Sequence, residues 1–84
     1  MAMLSEEIKK AVVEIVCDEL CCTEDQVEMQ SHLVTDLGAD ELDVLELILT
    51  VEDAFGIGIT EEDASKIETV EDLISTVVRL TSKQ

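Results

Sequence analysis

Apolar residues return every third or fourth position in three separate runs of this chain, the period of an α-helix with one buried face. The first run is Ile8, Val12, Ile15, Val16 and Leu20. The second is Leu42, Leu45, Leu47, Ile48, Leu49, Val51 and Phe55, a broad apolar surface whose wet side carries Asp43, Glu46, Glu52 and Asp53. The third is Val70, Leu73, Ile74, Val77, Val78 and Leu80. Each run has a start signal. Ser5 suits the cap of the first, with Glu6 and Glu7 at the positive end of its dipole. Asp40 suits the cap of the second, and Thr69 with Asp72 makes a T-x-x-D capping box for the third. Thr60 with Asp63 makes another box ahead of a short turn, and Gly56 is placed to end the second helix in a left-handed conformation. These signals predict helices over about 4–21, 41–55, 61–66 and 70–80, with 81–84 fraying. Between the first two helices lies a long loop. Thr23 and Gln26 have capping-box spacing for a short turn, and Val27, Met29, Leu33, Val34 and Leu37 are expected to reach into the core. A loop of this length in a compact domain is commonly functional.

Composition narrows the architecture. The 84 residues make one domain, 1–84, with no proline and glycine only at positions 38, 56 and 58. Phe55 is the sole aromatic residue, so the core must be aliphatic. The expectation is all-α: a four-helix bundle of three main helices and one short one, with the long loop after helix 1. The net charge of −16, from 21 acidic against 5 basic residues, repels nucleic acid and anionic lipid but attracts basic protein surfaces and divalent cations. Disorder is not expected, because 46% of residues are hydrophobic and mean hydropathy is +0.23. No apolar run is long enough for a membrane span, and residues 1–10 lack the features of a secretory signal.

The residue types that carry chemistry are sparse. Cys17, Cys21 and Cys22 form no paired framework and are expected as reduced, small hydrophobes of a cytoplasmic protein, with Cys22 exposed enough for adventitious dimers. Zinc is not expected with one histidine and no second cysteine pair, and His32 has no nucleophile placed beside it. Asp36 with Asp40, and Glu52 and Asp53 with residues 61–63, offer weak, screening-type divalent-cation binding, but no EF-hand loop and no specific metal site. With no nucleophile–base pair, metal cluster or phosphate loop, the chain is not expected to be an enzyme.

Residues 36–55 read D-L-G-A-D-E-L-D-V-L-E-L-I-L-T-V-E-D-A-F. This string resembles the signature of the acyl carrier proteins, D-L-G-x-D-S-L-D/E-x-x-E-L, followed by a short acidic stretch and a phenylalanine. The likeness continues through Gly58-Ile59-Thr60-Glu61-Glu62-Asp63-Ala64 and Lys66-Ile67-Glu68-Thr69-Val70-Glu71-Asp72, and less specifically back through 6–20. The family often has proline where Thr60 stands, and both residues open helices. The resemblance implies an acyl-carrier-like bundle serving fatty acid or polyketide biosynthesis, cytoplasmic and monomeric. An acyl chain on a 4'-phosphopantetheine arm would tuck between helices, with Leu45, Leu47, Ile48, Val51, Ile59, Ala64 and Ile67 as pocket candidates. Asp40, Asp43, Glu46, Glu52 and Asp53 fall at the positions that dock on basic patches of partner enzymes.

One residue departs from the pattern. Glu41 stands where the family has the serine that forms the phosphodiester to phosphopantetheine. That bond needs a hydroxyl oxygen attacking phosphorus, and a carboxylate would give only a labile mixed anhydride. Ser31, Ser65, Ser75 and Thr50 do not sit between aspartate and leucine at a helix start. The resemblance therefore implies a domain recognised like a carrier but not primed as written, with no cofactor attached. Glu41 suits the helix dipole, by about 0.3–1 kcal/mol. It also has the negative charge of a carrier's phosphate, and it is open to being a changed position. The alternative is a structural or regulatory interaction protein that binds partner enzymes through the same acidic helix.

Overall fold

The computed structural model describes residues 5–82, so the expected helix start at Leu4 and the end of the fraying segment, 83–84, lie outside the described residues. Four helices follow in order: α1 (Ser5–Leu20), α2 (Glu41–Phe55), α3 (Glu61–Ser65) and α4 (Val70–Thr81), with a short 3₁₀ turn at Glu24–Gln26. Ser5 is itself helical in α1 rather than a cap ahead of it. Lys66 is the C-cap of α3 rather than its last residue. α1 packs along both α2 and α4, and α2 also touches α4. The seam is aliphatic: Ile8, Val12 and Val16, Leu47 and Val51, and Val70, Leu73 and Val77 are each 1% exposed or less. Their spacing of three or four puts each set on one helical face. Ile15 and Leu20, part of the predicted stripe of α1, pack at the margin of this core.

The helix ends account for their own backbone groups. The Asp43 N–H donates to Asp40 Oδ1 at 2.8 Å and the Asp40 N–H to Asp43 Oδ2 at 3.1 Å, a reciprocal box at the start of α2. Thr60 Oγ1 accepts from the Asp63 N–H at 3.1 Å, opening α3. Gly56 ends α2 at φ 64°, as expected of a residue free to turn left-handed.

The long loop is ordered because it supplies acceptors to α4. The Val70 N–H donates to Ser31 O at 3.1 Å and the Glu71 N–H to Met29 O at 2.9 Å, while Leu33 donates to Glu68 O at 2.9 Å. The next N–H of α4, that of Asp72, donates to Thr69 Oγ1 at 3.1 Å. The unpaired donors of a helix start are thus met by a distant loop. Within the loop, Gln26 Oε1 accepts from the Thr23 N–H at 2.9 Å, and Ser31 Oγ from Glu28 at 3.0 Å. Val27 and Leu33 reach the core, and Met29 and Leu37 pack at its edge. Val34 does not: it is 48% exposed, because the turn that places Leu33 and Leu37 inward points the intervening side chain out.

Candidate functional site

The start of α2 is built by its neighbours. Gly38 turns at φ 77°, and Ala39, buried, anchors the backbone one residue before the Asp40 cap. Glu41 follows as the first helical residue and is exposed, its carboxylate at the positive end of the helix dipole. The position is fixed in backbone and open in side chain.

α2 carries two opposed apolar faces. Leu47, Ile48 and Val51 are buried, whereas Leu42, Leu45 and Leu49 are 68%, 52% and 53% exposed. At 3.6 residues per turn, positions 42, 45 and 49 form one ridge turned away from 47 and 51. Glu46 and Asp53 flank this ridge on one side, Glu41 and Glu52 on the other. The expected single apolar surface is therefore corrected, and so is Leu45 as a pocket residue: it lies on the solvent ridge. The signal was available, since apolar residues at 42, 45, 47, 48, 49 and 51 wrap too far round a helix for one buried stripe.

The acidic positions divide by what they touch. Asp40 and Asp43 hold each other's N–H groups in the capping box. Glu52 Oε2 accepts from the Ile59 N–H at 2.7 Å, tying α2 to the segment before α3. Glu46 and Asp53 are exposed.

The remaining pocket candidates come from α2, from α3 and from the segments flanking α3. Leu47, Val51 and Ile67 belong to the core, Ile48 is buried, and Ile59 and Ala64 are half-buried. α3 is the least packed of the four helices. Arg79 of α4 tethers it, donating to Asp63 Oδ1 at 2.7 Å, and Lys66 lies 3.6 Å from Glu62 at the surface.

His32 serves the loop. Its Nδ1 accepts from the Val34 and Thr35 N–H groups, each at 3.2 Å, so the proton belongs on Nε2, which lies 3.8 Å from Glu68. Ser31 is the one buried polar residue among the described residues. Asp72 accepts from the Glu68 and Thr69 N–H groups, at 3.0 Å each, and these bonds hold its carboxyl below the ordinary value of 3.8. Among the described residues no group of three or more His, Cys, Asp and Glu is placed to hold a metal, and no helix is long and apolar enough to cross a membrane. Cys21, not Cys22, is the exposed thiol at the end of α1.

Known proteins share this fold. Residues 10–77 match the family described as "Phosphopantetheine attachment site". An acyl carrier protein of Campylobacter lari is 40% identical over 75 residues, which cover 89% of this chain and 92% of that protein. The solved acyl carrier protein of Enterococcus faecalis superposes with a TM-score of 0.78 at 38% identity, covering 93% of this chain and 99% of that one. A Mycobacterium tuberculosis chain assigned to the acyl carrier proteins gives 0.80 at 33% identity, covering 86% and 96%.

Proposed function

This chain belongs to the phosphopantetheine attachment site family, and from that premise we propose that it is an acyl-carrier-type docking protein of fatty acid or polyketide synthesis whose attachment position is Glu41. Acyl carrier proteins are not enzymes, and neither is this chain. They work with the enzymes of acyl-chain synthesis, and the finer proposal concerns how this one would meet them.

The observation that carries the proposal is the surface of α2. A ridge of Leu42, Leu45 and Leu49, more than half exposed, runs between carboxylates at Glu41, Glu46, Glu52 and Asp53. An apolar strip framed by acid fits a partner with an apolar groove framed by lysine and arginine. The carboxylates would speed encounter and the leucines would be desolvated on contact. Asp40 and Asp43 act chiefly by holding the helix start in place. The protein would work as a cytoplasmic monomer, with its acidic clusters holding divalent cations only loosely.

The residues present do not fit the family's prosthetic group. Glu41 offers no hydroxyl. Ser31 is buried and bonded to Glu28, and Thr50 Oγ1 donates to Glu19 Oε1 at 2.8 Å in the middle of α2. Ser65 Oγ donates to Glu62 O within α3, and Thr35 lies in the loop ahead of Gly38. The carboxylate at position 41 favours a second function, in which the chain binds carrier-dependent enzymes without delivering an acyl group.

The test is the intact mass after incubation with coenzyme A and a broad-specificity phosphopantetheinyl transferase. The natural chain should gain nothing and Glu41→Ser should gain the arm. An arm on the natural chain would overturn the assignment of Glu41. An unmodified Glu41→Ser would remove the carrier-type surface and leave the interaction function. That function is checked by binding to a purified carrier-dependent enzyme, which should weaken with added salt and with Leu45→Asp.

A further inference from the structure

The C-terminal end of α1 gathers all three cysteines. Cys21 turns left-handed at φ 54°, the one described non-glycine residue to do so, and the Cys22 N–H reaches back to Cys17 O at 3.1 Å. This six-residue closure brings together the side chains at its two ends, where two apolar residues usually meet. Here both are thiols. Cys17 and Cys22 pack against the core, while Cys21 is exposed. A disulfide needs Cα atoms within about 7 Å. A backbone bond between the same two residues holds them inside that reach, and the Cys22 thiol neighbours that of Cys17.

Access is unequal. An open depression of about 240 Å³ is lined by Leu20, Cys21, Cys22, Gln26, Asp36 and Leu37. Cys22 faces it and Cys17 does not. Burial pushes the Cys17 thiol up, and the Cys22 thiol, Glu24 and Asp18 add to this, so Cys17 gives up its proton less readily than a free thiol.

We propose that Cys17 and Cys22 form a dithiol redox site, with Cys22 as the entry thiol, Cys17 as the resolving thiol, and a small uncharged or cationic disulfide as the oxidant. The Cys22 thiolate attacks one sulfur of the disulfide, forming a mixed disulfide and releasing one thiolate, which takes a proton from water. Cys17 gives its proton to solvent and attacks the Cys22 sulfur, releasing the second thiol. The sum is two protein thiols and one disulfide converted to one protein disulfide and two small thiols. The charge preference follows from Asp36 in the depression, Asp18 and Glu24 near the pair, and the net charge of −16, all of which repel an anionic oxidant. Closing the pair would lock the end of α1 where the long loop departs. This site stands independently of the carrier-type function.

The experiment uses the reduced full chain with cystamine or oxidised glutathione at low ionic strength, followed by intact mass, alkylation of free thiols and peptide mapping. Cystamine should give a monomer lighter by two hydrogens, with Cys21 alone alkylated. It should react on the order of tenfold faster than oxidised glutathione, with the gap closing as salt is added. Cys17→Ser should stop at a stable cystamine adduct on Cys22, and Cys21→Ser should close as the natural chain does. A lasting adduct on the natural chain, a bond involving Cys21, a disulfide dimer, or equal rates for the two oxidants at low salt would each overturn the proposal. Mapping on the unsubstituted chain keeps the test valid if a variant fails to fold, and a urea-unfolded control that paired the same two cysteines equally fast would also refute it.

Discussion

Leu45 and Leu47 sit two positions apart on α2, and truncating them to alanine should give opposite results. Leu47 is 0% exposed in the seam with α1 and α4, and Leu45 is 52% exposed on the outer ridge. Leu47→Ala removes apolar surface from the core and leaves a cavity, a change that costs about 3 kcal/mol or more. At ~0.05–0.15 kcal/mol per residue, an 84-residue domain holds about 4–13 kcal/mol in all, so the loss is a large share of the whole. For Leu45→Ala the arithmetic differs. Full burial of a leucine contributes about 1.5–3 kcal/mol, so a half-wet one contributes about 1. No cavity forms, because the space opens to water, and the better helix propensity of alanine offsets part of the loss. The net cost should be about 0.5–1 kcal/mol.

Urea and thermal melts followed by far-ultraviolet circular dichroism, at about 0.15 M salt to screen self-repulsion, separate these values. At about 4–8 °C per kcal/mol for a domain of this size, Leu47→Ala should lower Tm by about 12–25 °C and Leu45→Ala by less than about 8 °C. Binding to a carrier-dependent enzyme should show the reverse order once corrected for the folded fraction. Equal destabilisation by the two substitutions would refute the two-faced arrangement of α2 and the docking ridge with it.

Cys21→Gly should raise stability by about 0.5–1 kcal/mol, since relief of a left-handed side chain gains about 1–2 kcal/mol and the extra freedom of the unfolded glycine returns about 0.4–1; a lower urea midpoint would contradict this. The Asp72 carboxyl is held below 3.8 by the N–H groups of Glu68 and Thr69, so it stabilises the fold above that pH, and the contribution is lost as pH falls through its lowered folded value. Asp72→Asn should therefore flatten the stability profile below about pH 4, and an unchanged slope there would remove this assignment. Arg79→Ala should leave global stability within about 1 kcal/mol, since the pair is partly exposed, but should speed hydrogen exchange at Ala64 and Lys66. Raising salt from about 0.01 to 0.15 M shortens the screening length from about 30 to 8 Å, below the 11.7 Å radius of gyration, so Tm should rise by several degrees.

Local signals were strong where capping and period agree. Asp40, Thr60 and Thr69 each cap the helix they precede, and Gly56 turns left-handed, because these interactions span three or four residues and are written in that span. What was hidden depends on distance. Nothing near Ser31 or Met29 says that their carbonyls meet the first N–H groups of α4, some forty residues later, so the loop's order was not legible from its own composition. His32 was likewise opaque, since its part rests on backbone geometry two and three residues on. The ridge of Leu42, Leu45 and Leu49 was half legible: the spread of apolar positions on α2 exceeds one buried stripe, but which leucines are left outside depends on the packed face. Cys17 and Cys22 meet only because Cys21 adopts a conformation its residue type disfavours.

Position 41 separates folding from attachment. The turn at Gly38, the buried Ala39 and the Asp40–Asp43 box place the helix start, and Glu41 itself is exposed. Its contribution to stability is the dipole interaction, about 0.3–1 kcal/mol, and serine in the first turn would forfeit at most that. Glu41→Ser should thus melt within about 8 °C of the natural chain. A transferase result on that variant then reports chemistry and recognition rather than unfolding. A much larger loss would mean that Glu41 holds the helix start in place, and the same mass measurement would no longer isolate the missing hydroxyl.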